Sequence, residues 1–400
     1  MKKPSLQHIM RSQQEGTEAV VSYTELLFDL ITVFAVTQLS HYLLHHLNLT
    51  GLIQSAVLWF GIWLLWQHTV WMTNWFNADT RPIRLLVVAI MVISLFMTSA
   101  LPEAFSDKGI LFACCYVAIQ VGRTLAVLFM VGNGHLISNN YKRILFWMSI
   151  SGIFWLAGAF VSPSLRLFFW LAGVLIDYLS AMIRFYTPGL GYSHSMKEWT
   201  INGELLLERC KLFVIIAFGE TVLMTGVTLS GTAIWSFQKV VAGLVSFLGS
   251  VAMWWIYFEI SNTVTTSSIK KSKNPGSLGL TYNAIHVILI GAIILCAVGD
   301  EMVVKEPEGT MNSMSLFLLV TSPVIYIAAN MMLHWVTCRT FFRSHLIAIV
   351  MLFVLIPFSF MLDNLLTNVC VLIVLFGVAV YEAFSAKKPS LAHEEASSQE

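Results

Sequence analysis

Charge is the scarcest property of this sequence: Lys, Arg, Asp and Glu make up 11% of its 400 residues, against about a quarter in ordinary soluble domains. That shortage excludes a water-soluble fold for most of the chain. The 23 basic and 22 acidic side chains nearly cancel to a formal charge of +1, so no basic surface recommends a nucleic-acid partner. Cysteine is sparse as well. Cys114, Cys115, Cys210, Cys296, Cys338 and Cys370 show no zinc-ligand or redox spacing, and in or beside apolar runs they read as small hydrophobes. A nucleophile elbow, a zincin helix and a P-loop are also missing, so no reaction is selected and no cofactor or metal is expected. The polar-apolar alternation of a transmembrane barrel is absent too. The first 23 residues carry Lys2, Lys3, Arg11, Glu15 and Glu18. They do not follow the layout of a signal peptide, and the first helix is expected to direct insertion.

What the chain has in abundance is apolar sequence, 57% of all residues. Long apolar runs succeed one another from Thr24 almost to Phe384, each at or near the roughly 18 residues that cross a bilayer as a helix. Lipid supplies no water to bond stray backbone groups, so each run must satisfy its own N–H and C=O groups internally. The fold class is therefore an all-α polytopic transmembrane bundle. Boundaries fall near 24–46, 51–76, 81–101, 109–132, 143–162 and 164–185, then near 209–230, 236–262, 278–300, 313–337, 344–360 and 364–384. The division predicts a cytoplasmic segment 1–23, a six-helix half 24–185, a cytoplasmic connector 186–208, a second half 209–384 and a disordered cytoplasmic tail 385–400.

Orientation follows from the basic residues, which accumulate on the cytoplasmic side. With the first residue inside, 18 of the 23 Lys and Arg lie in inner segments, while Lys108, Arg166, Lys239 and Lys305 lie outside and Arg123 lies within a helix. Both termini are therefore expected in the cytoplasm. The surrounding partner is the lipid bilayer.

Ionisable residues inside these runs are costly, about 2.5–3.5 kcal/mol each at the helix centre even on the lenient insertion scale, so they should face protein or water. Asp29, Arg123, Asp177 and Glu220 are deep enough to qualify. Glu220 lies eleven residues past Arg209, about 16 Å further along a helix, and shares a face with Arg209, Phe213, Ala217 and Met224. On the first helix Glu25, Asp29, Thr32, Val36 and Ser40 form one stripe. Gln67, Trp71 and Asn74 share a face of the second helix, and Tyr282 and His286 a face of the ninth. We expect Asp29, Arg123 and Glu220 to approach one another, with Arg123 pairing one of the acids and Arg184 a competing partner for Asp177. Gly219 would let another helix backbone come close. His41, His45 and His46 read as interfacial histidines, and Trp59, Trp63 and Trp66 as packing.

Two blocks, Tyr23–Gln38 (YTELLFDLITVFAVTQ) and Glu208–Leu223 (ERCKLFVIIAFGETVL), resemble signature segments of the bacterial low temperature requirement A (LtrA) family. Shorter similar features are Asn74–Asp79, the Trp254–Glu259 end of the eighth helix, and Tyr282, His286 and Gly291. The resemblance spans roughly Ser22–Ala383. It departs at Leu205, where members often carry His three residues before the Glu-Arg pair. It implies a multi-pass bacterial membrane protein tied by name to growth in the cold, and implies no particular reaction.

Together these readings nominate Glu25, Asp29, Asn74, Arg123, Asp177, Arg209, Glu220, Glu259 and His286 as a transport or buried polar cluster acting on an unidentified small solute or ion. Similar openings of the first and seventh helices, Leu27–Leu30 and Leu212–Ile215, suggest two parallel repeats, one of the common transporter plans. A secondary transporter or ion pathway is the expected function, with Glu220 as the proton- or cation-linked carboxylate. The competing classes are a membrane enzyme acting on lipid or envelope precursors and a non-catalytic assembly factor.

Overall fold

The computed structural model describes residues 6–11, 20–132, 134–193, 202–231, 235–271, 275–339 and 342–397. Among them are twelve helices of 17 residues or more: α1 Tyr23–His45, α2 Leu49–Trp75, α3 Arg81–Ala100, α4 Gly109–Val131, α5 Leu136–Ala159, α6 Pro163–Met182, α7 Gly203–Ser230, α8 Phe237–Lys271, α9 Pro275–Lys305, α10 Ser322–Cys338, α11 Arg343–Ser359 and α12 Asn364–Ser397. No strand occurs among the described residues. Among the described residues ten helical stretches are long and apolar enough to cross a membrane, in keeping with a polytopic helical bundle. The two helices that fall short do so for different reasons. The first turns of α5 hold Asn139, Asn140, Lys142 and Arg143, and α11 has only 17 residues, about 25 Å at 1.5 Å per residue.

Local signals place the helix ends. Ser22 caps α1 in a reciprocal capping box with Glu25, and Asn48 caps α2 through Gly51 N. Pro82 and Pro163 sit in the first turns of α3 and α6, where a missing N–H costs nothing. Gly132 ends α4 at φ +74°, the backbone conformation glycine adopts without strain. Several helices outrun the apolar sequence that announces them. α5 starts at Leu136 rather than 143, α7 at Gly203 rather than 209, and α8 continues past 262 to Lys271. α12 also runs on to Ser397 through the stretch expected to be a disordered tail. Once a helix is nucleated by a buried span, each further residue adds a hydrogen bond at little cost, so polar residues of fair propensity extend it.

The chain divides into two compact units, residues 1–213 with 273–280, and residues 214–272 with 281–400. In the first, α2 is central and packs against α1, α4 and α6, while α3–α4, α4–α5 and α5–α6 are sequential neighbours. Its side chains are buried from Val57 to Trp75 with few exceptions, the pattern of a helix apolar on every side. Trp59, Trp63 and Trp66 pack with Phe213, ring centroids 4.7–6.4 Å apart, so the tryptophan series is core packing. In the second unit α12 packs on α8 and α11, and α10 on α8 and α11. The α9 span is the most enclosed, 78% buried. A π turn, Phe317–Thr321, leads into α10.

Candidate functional site

The first unit encloses an ion network built on Arg209. Because α7 begins at Gly203, Arg209 sits two turns inside it and is fully buried. Its Nε donates to Asp29 Oδ2 at 3.1 Å and its Nη2 donates to Asp29 Oδ1. Nη1 donates to Thr73 Oγ1 at 2.8 Å and to Glu25 Oε1 at 3.4 Å. Trp66 Nε1 donates to Asp29 Oδ1 at 2.6 Å, and the guanidinium lies 5.9 Å from the Trp66 ring centroid. Glu25 also receives Arg11, at 2.9 Å from Nη2 to Oε2. Arg11 is brought there by the preceding backbone, where Arg11 N donates to Trp75 O and Asn77 N to Ile9 O, both at 2.9 Å. Two carboxylates thus meet two guanidinium groups, and the network is charge-balanced.

Asn74 fixes the start of α7 relative to α2. Its Nδ2 donates to Asn202 O at 2.9 Å and its Oδ1 accepts from Asn202 N at 2.7 Å. Asn202 Oδ1 in turn accepts from Glu204 N and Leu205 N, so Asn202 caps the helix that carries Arg209. The stripe Glu25, Asp29, Thr32, Val36 and Ser40 is buried throughout, as its spacing indicates.

Arg123 takes a different course from the one expected. Rather than pairing with Asp29, it donates through Nη1 to Thr69 Oγ1 at 2.9 Å and to Leu65 O at 3.3 Å, and through Nη2 to Gln120 Oε1. Asp29 is already taken by Arg209, which the apolar-run reading places at the edge of its helix rather than inside. Gln120 Nε2 donates to Tyr116 OH at 3.3 Å, and Tyr116 OH donates to Asp177 Oδ2 at 3.3 Å. A buried line therefore joins α6 to α2 through one face of α4: Asp177, Tyr116, Gln120, Arg123, Thr69. Asp177 is 1% exposed, and among the described residues no basic side chain lies within ion-pair distance of it. Arg184, the competing partner, is exposed in the left-handed turn after α6, at φ +55°.

In the second unit Glu220 is 2% exposed. The stripe on its helix, Arg209, Phe213, Ala217, Glu220 and Met224, is buried at every position. Within the first unit Asp29 pairs with Arg209 and Arg123 bonds to Gln120, while Glu220 belongs to the second unit. Gly219 does not receive a neighbouring helix, because an added Cβ there would meet no atom within 4 Å. His286 Nδ1 faces Tyr282 O at 2.7 Å, which makes it the donor. Nε2 then accepts from Tyr257 OH at 2.8 Å, and Tyr282 OH lies 3.2 Å from the Tyr257 oxygen. Glu259, expected in a buried cluster, is exposed, because α8 continues beyond it into polar sequence. His45 and His46 are exposed and His41 is half-buried.

Sequence reasoning passed over Arg11, Thr73, Tyr116 and Gln120. A signal existed for two of them: Tyr116, Gln120 and Arg123 follow the i, i+4, i+7 spacing of one helical face. Residues 20–380 match the family profile described as Bacterial low temperature requirement A protein (LtrA). The chain is also 34% identical over 389 residues to "Uncharacterized protein RA0937" of Rhizobium meliloti (strain 1021), covering 94% of this chain and 92% of that protein. A match over most of the length by both routes places the chain in the bacterial low temperature requirement A (LtrA) family.

Proposed function

We propose that the protein is a proton-linked secondary transporter or ion pathway of the bacterial inner membrane, with both termini cytoplasmic and membrane-buried carboxylates exchanging the proton. The observation that carries this reading is the setting of Asp177. Asp29 and Glu25 are matched by guanidinium groups and serve as an anchor, since removing either partner of such a pair strands a charge. Asp177 has no such match among the described residues. It instead ends a line of side chains in which Arg123 and Gln120 orient the Tyr116 hydroxyl toward the acid, so that Tyr116 is the group that can share a proton with it. An acid left uncompensated at this depth is costly, and such residues commonly mark proton relays in membrane proteins. Glu220, also buried, is a second carboxylate for the same task. The positive-inside distribution of Lys and Arg supports the orientation.

The test is proton movement into liposomes holding the purified full chain and a trapped pH-sensitive dye, driven by an imposed membrane potential. Asp177→Asn is expected to lower the flux at least tenfold while eluting as a folded monodisperse species. Glu220→Gln is expected to change its pH dependence. Asp177→Asn protein that folds and conducts protons like the parent refutes the role of Asp177, and a folded Glu220→Gln protein with unaltered pH dependence refutes that of Glu220.

A further inference from the structure

The second unit carries a groove that the proposed proton route does not use. It runs between α11 and α12 with a volume of about 350 Å³, within the roughly 300–1,000 Å³ of small-molecule sites. Arg343, Ile347 and Met351 line it from α11, and Ile373, Gly377 and Tyr381 from α12. Each set follows the i, i+4, i+8 spacing of one helical face, so each wall is a stripe about 12 Å long at 1.5 Å per residue. Ser344 Oγ donates to Glu382 Oε1 at 2.9 Å, which sets the start of α11 level with that turn of α12. Arg343 and Tyr381 therefore stand together at one end of the groove, and the rest of these walls is apolar.

Gly377 gives the groove its depth. It is exposed, and an added Cβ there would meet no atom within 4 Å, so the missing side chain leaves open space rather than admitting a neighbouring helix. Arg343 is the one charged side chain among the described residues that line the groove. It is exposed, and among the described residues no acid lies within ion-pair distance of it. The acid beside Tyr381 in sequence, Glu382, is buried and does not line the groove. It is engaged by Ser344 and by His345, whose Nδ1 lies 3.1 Å from Glu382 Oε1. Helix α11 also begins without a side-chain cap, which leaves the positive end of its dipole at the same mouth.

We propose that this groove binds one anionic phospholipid, with its phosphate on Arg343 and Tyr381 and an acyl chain laid along Ile347, Met351, Ile373 and Gly377. A guanidinium at the head of an apolar trough matches a molecule with an anionic head and a hydrocarbon tail, and the guanidinium fork suits phosphate oxygens. Free phosphate would leave the trough uncovered. A zwitterionic lipid would bring an ammonium group to a mouth whose neighbouring carboxylate, Glu382, is already engaged on the buried side. Basic pockets between membrane helices hold acidic lipid head groups by this chemistry, and tyrosine is enriched at the level of the head groups. With the orientation proposed above, the mouth opens to the cytoplasmic leaflet.

The experiment titrates the purified full chain in detergent with dioleoylphosphatidylglycerol or dioleoylphosphatidylcholine and counts bound lipids by native mass spectrometry. It reads no transport, so it can fail while the proton reading stands, and the reverse. The parent is expected to take up one phosphatidylglycerol at least tenfold more tightly than phosphatidylcholine, and inorganic phosphate is expected not to displace it. Arg343→Gln should abolish that preference and leave phosphatidylcholine binding unchanged. Because that variant could lose its fold, Gly377→Leu, which fills the groove from an exposed position, is measured alongside. It should weaken phosphatidylglycerol binding at least tenfold with unchanged elution on size exclusion. Equal binding of the two lipids by the parent, displacement by inorganic phosphate, or a dimer that Gly377→Leu disrupts overturns the proposal. So does a folded Arg343→Gln or Gly377→Leu protein that binds phosphatidylglycerol at the parent's affinity.

Discussion

Replacing Arg209 by methionine leaves the Asp29 carboxylate buried with only Trp66 Nε1 as a donor, while Glu25 keeps Arg11. The substitution removes two bonds to Asp29, one to Glu25 and one to Thr73. Stranding one member of a buried pair costs about 3–5 kcal/mol. Asp29→Asn is gentler, since Arg209 retains Thr73 and Glu25, and the loss of one charge-assisted partner should cost about 1.5–3 kcal/mol. In the double variant the stranded carboxylate is gone, so the two costs should not add. A coupling of about 2 kcal/mol is expected, within the range measured for residues in one network. The assay is reversible unfolding of the detergent-solubilised chain by sodium dodecyl sulfate, followed by tryptophan emission. Costs that add to within about 0.5 kcal/mol would refute the pairing, because independent sites behave that way.

Asn74→Ala removes both bonds to Asn202 and should cost about 1–3 kcal/mol, with faster hydrogen exchange at Glu204–Leu207 than in the parent. Ser22→Ala breaks the capping box of α1 and should cost about 1 kcal/mol, read as a lower unfolding midpoint. Gly158→Ala places a Cβ 2.6 Å from the Trp170 ring, and the overpacking should cost about 1–3 kcal/mol unless the ring shifts. A reporter fused after Lys388 is expected to report from the cytoplasm, and an external signal there contradicts the proposed topology.

Helical class and helix number were legible because lipid forces the apolar runs to be helices, and because buried faces repeat with the helical period. The stripes on α1 and α7 were readable for that reason, and each of their members is buried. Their partners were harder to see. Arg209 is separated from Asp29 by 180 residues, and its depth depends on α7 beginning in a polar stretch that hydropathy assigns to a connector. Arg11 reaches Glu25 because Ile9, fully buried, tucks the N-terminal segment against the end of α2, a tertiary effect without a sequence period. Arg123 illustrates the opposite limit. Burial was inferable from its place in an apolar run, but the choice of an amide, a hydroxyl and a carbonyl over an acid depends on which helix faces α4.

The central claim is that Asp177 exchanges a proton within the bilayer, and infrared difference spectroscopy of the reconstituted chain reads that exchange at the carboxyl group itself. A carboxylic-acid carbonyl band that grows and fades as the pH is stepped, and that is missing from folded Asp177→Asn protein, is the predicted result. A parent spectrum without such a band, or a titrating band that persists unchanged in Asp177→Asn, would contradict it.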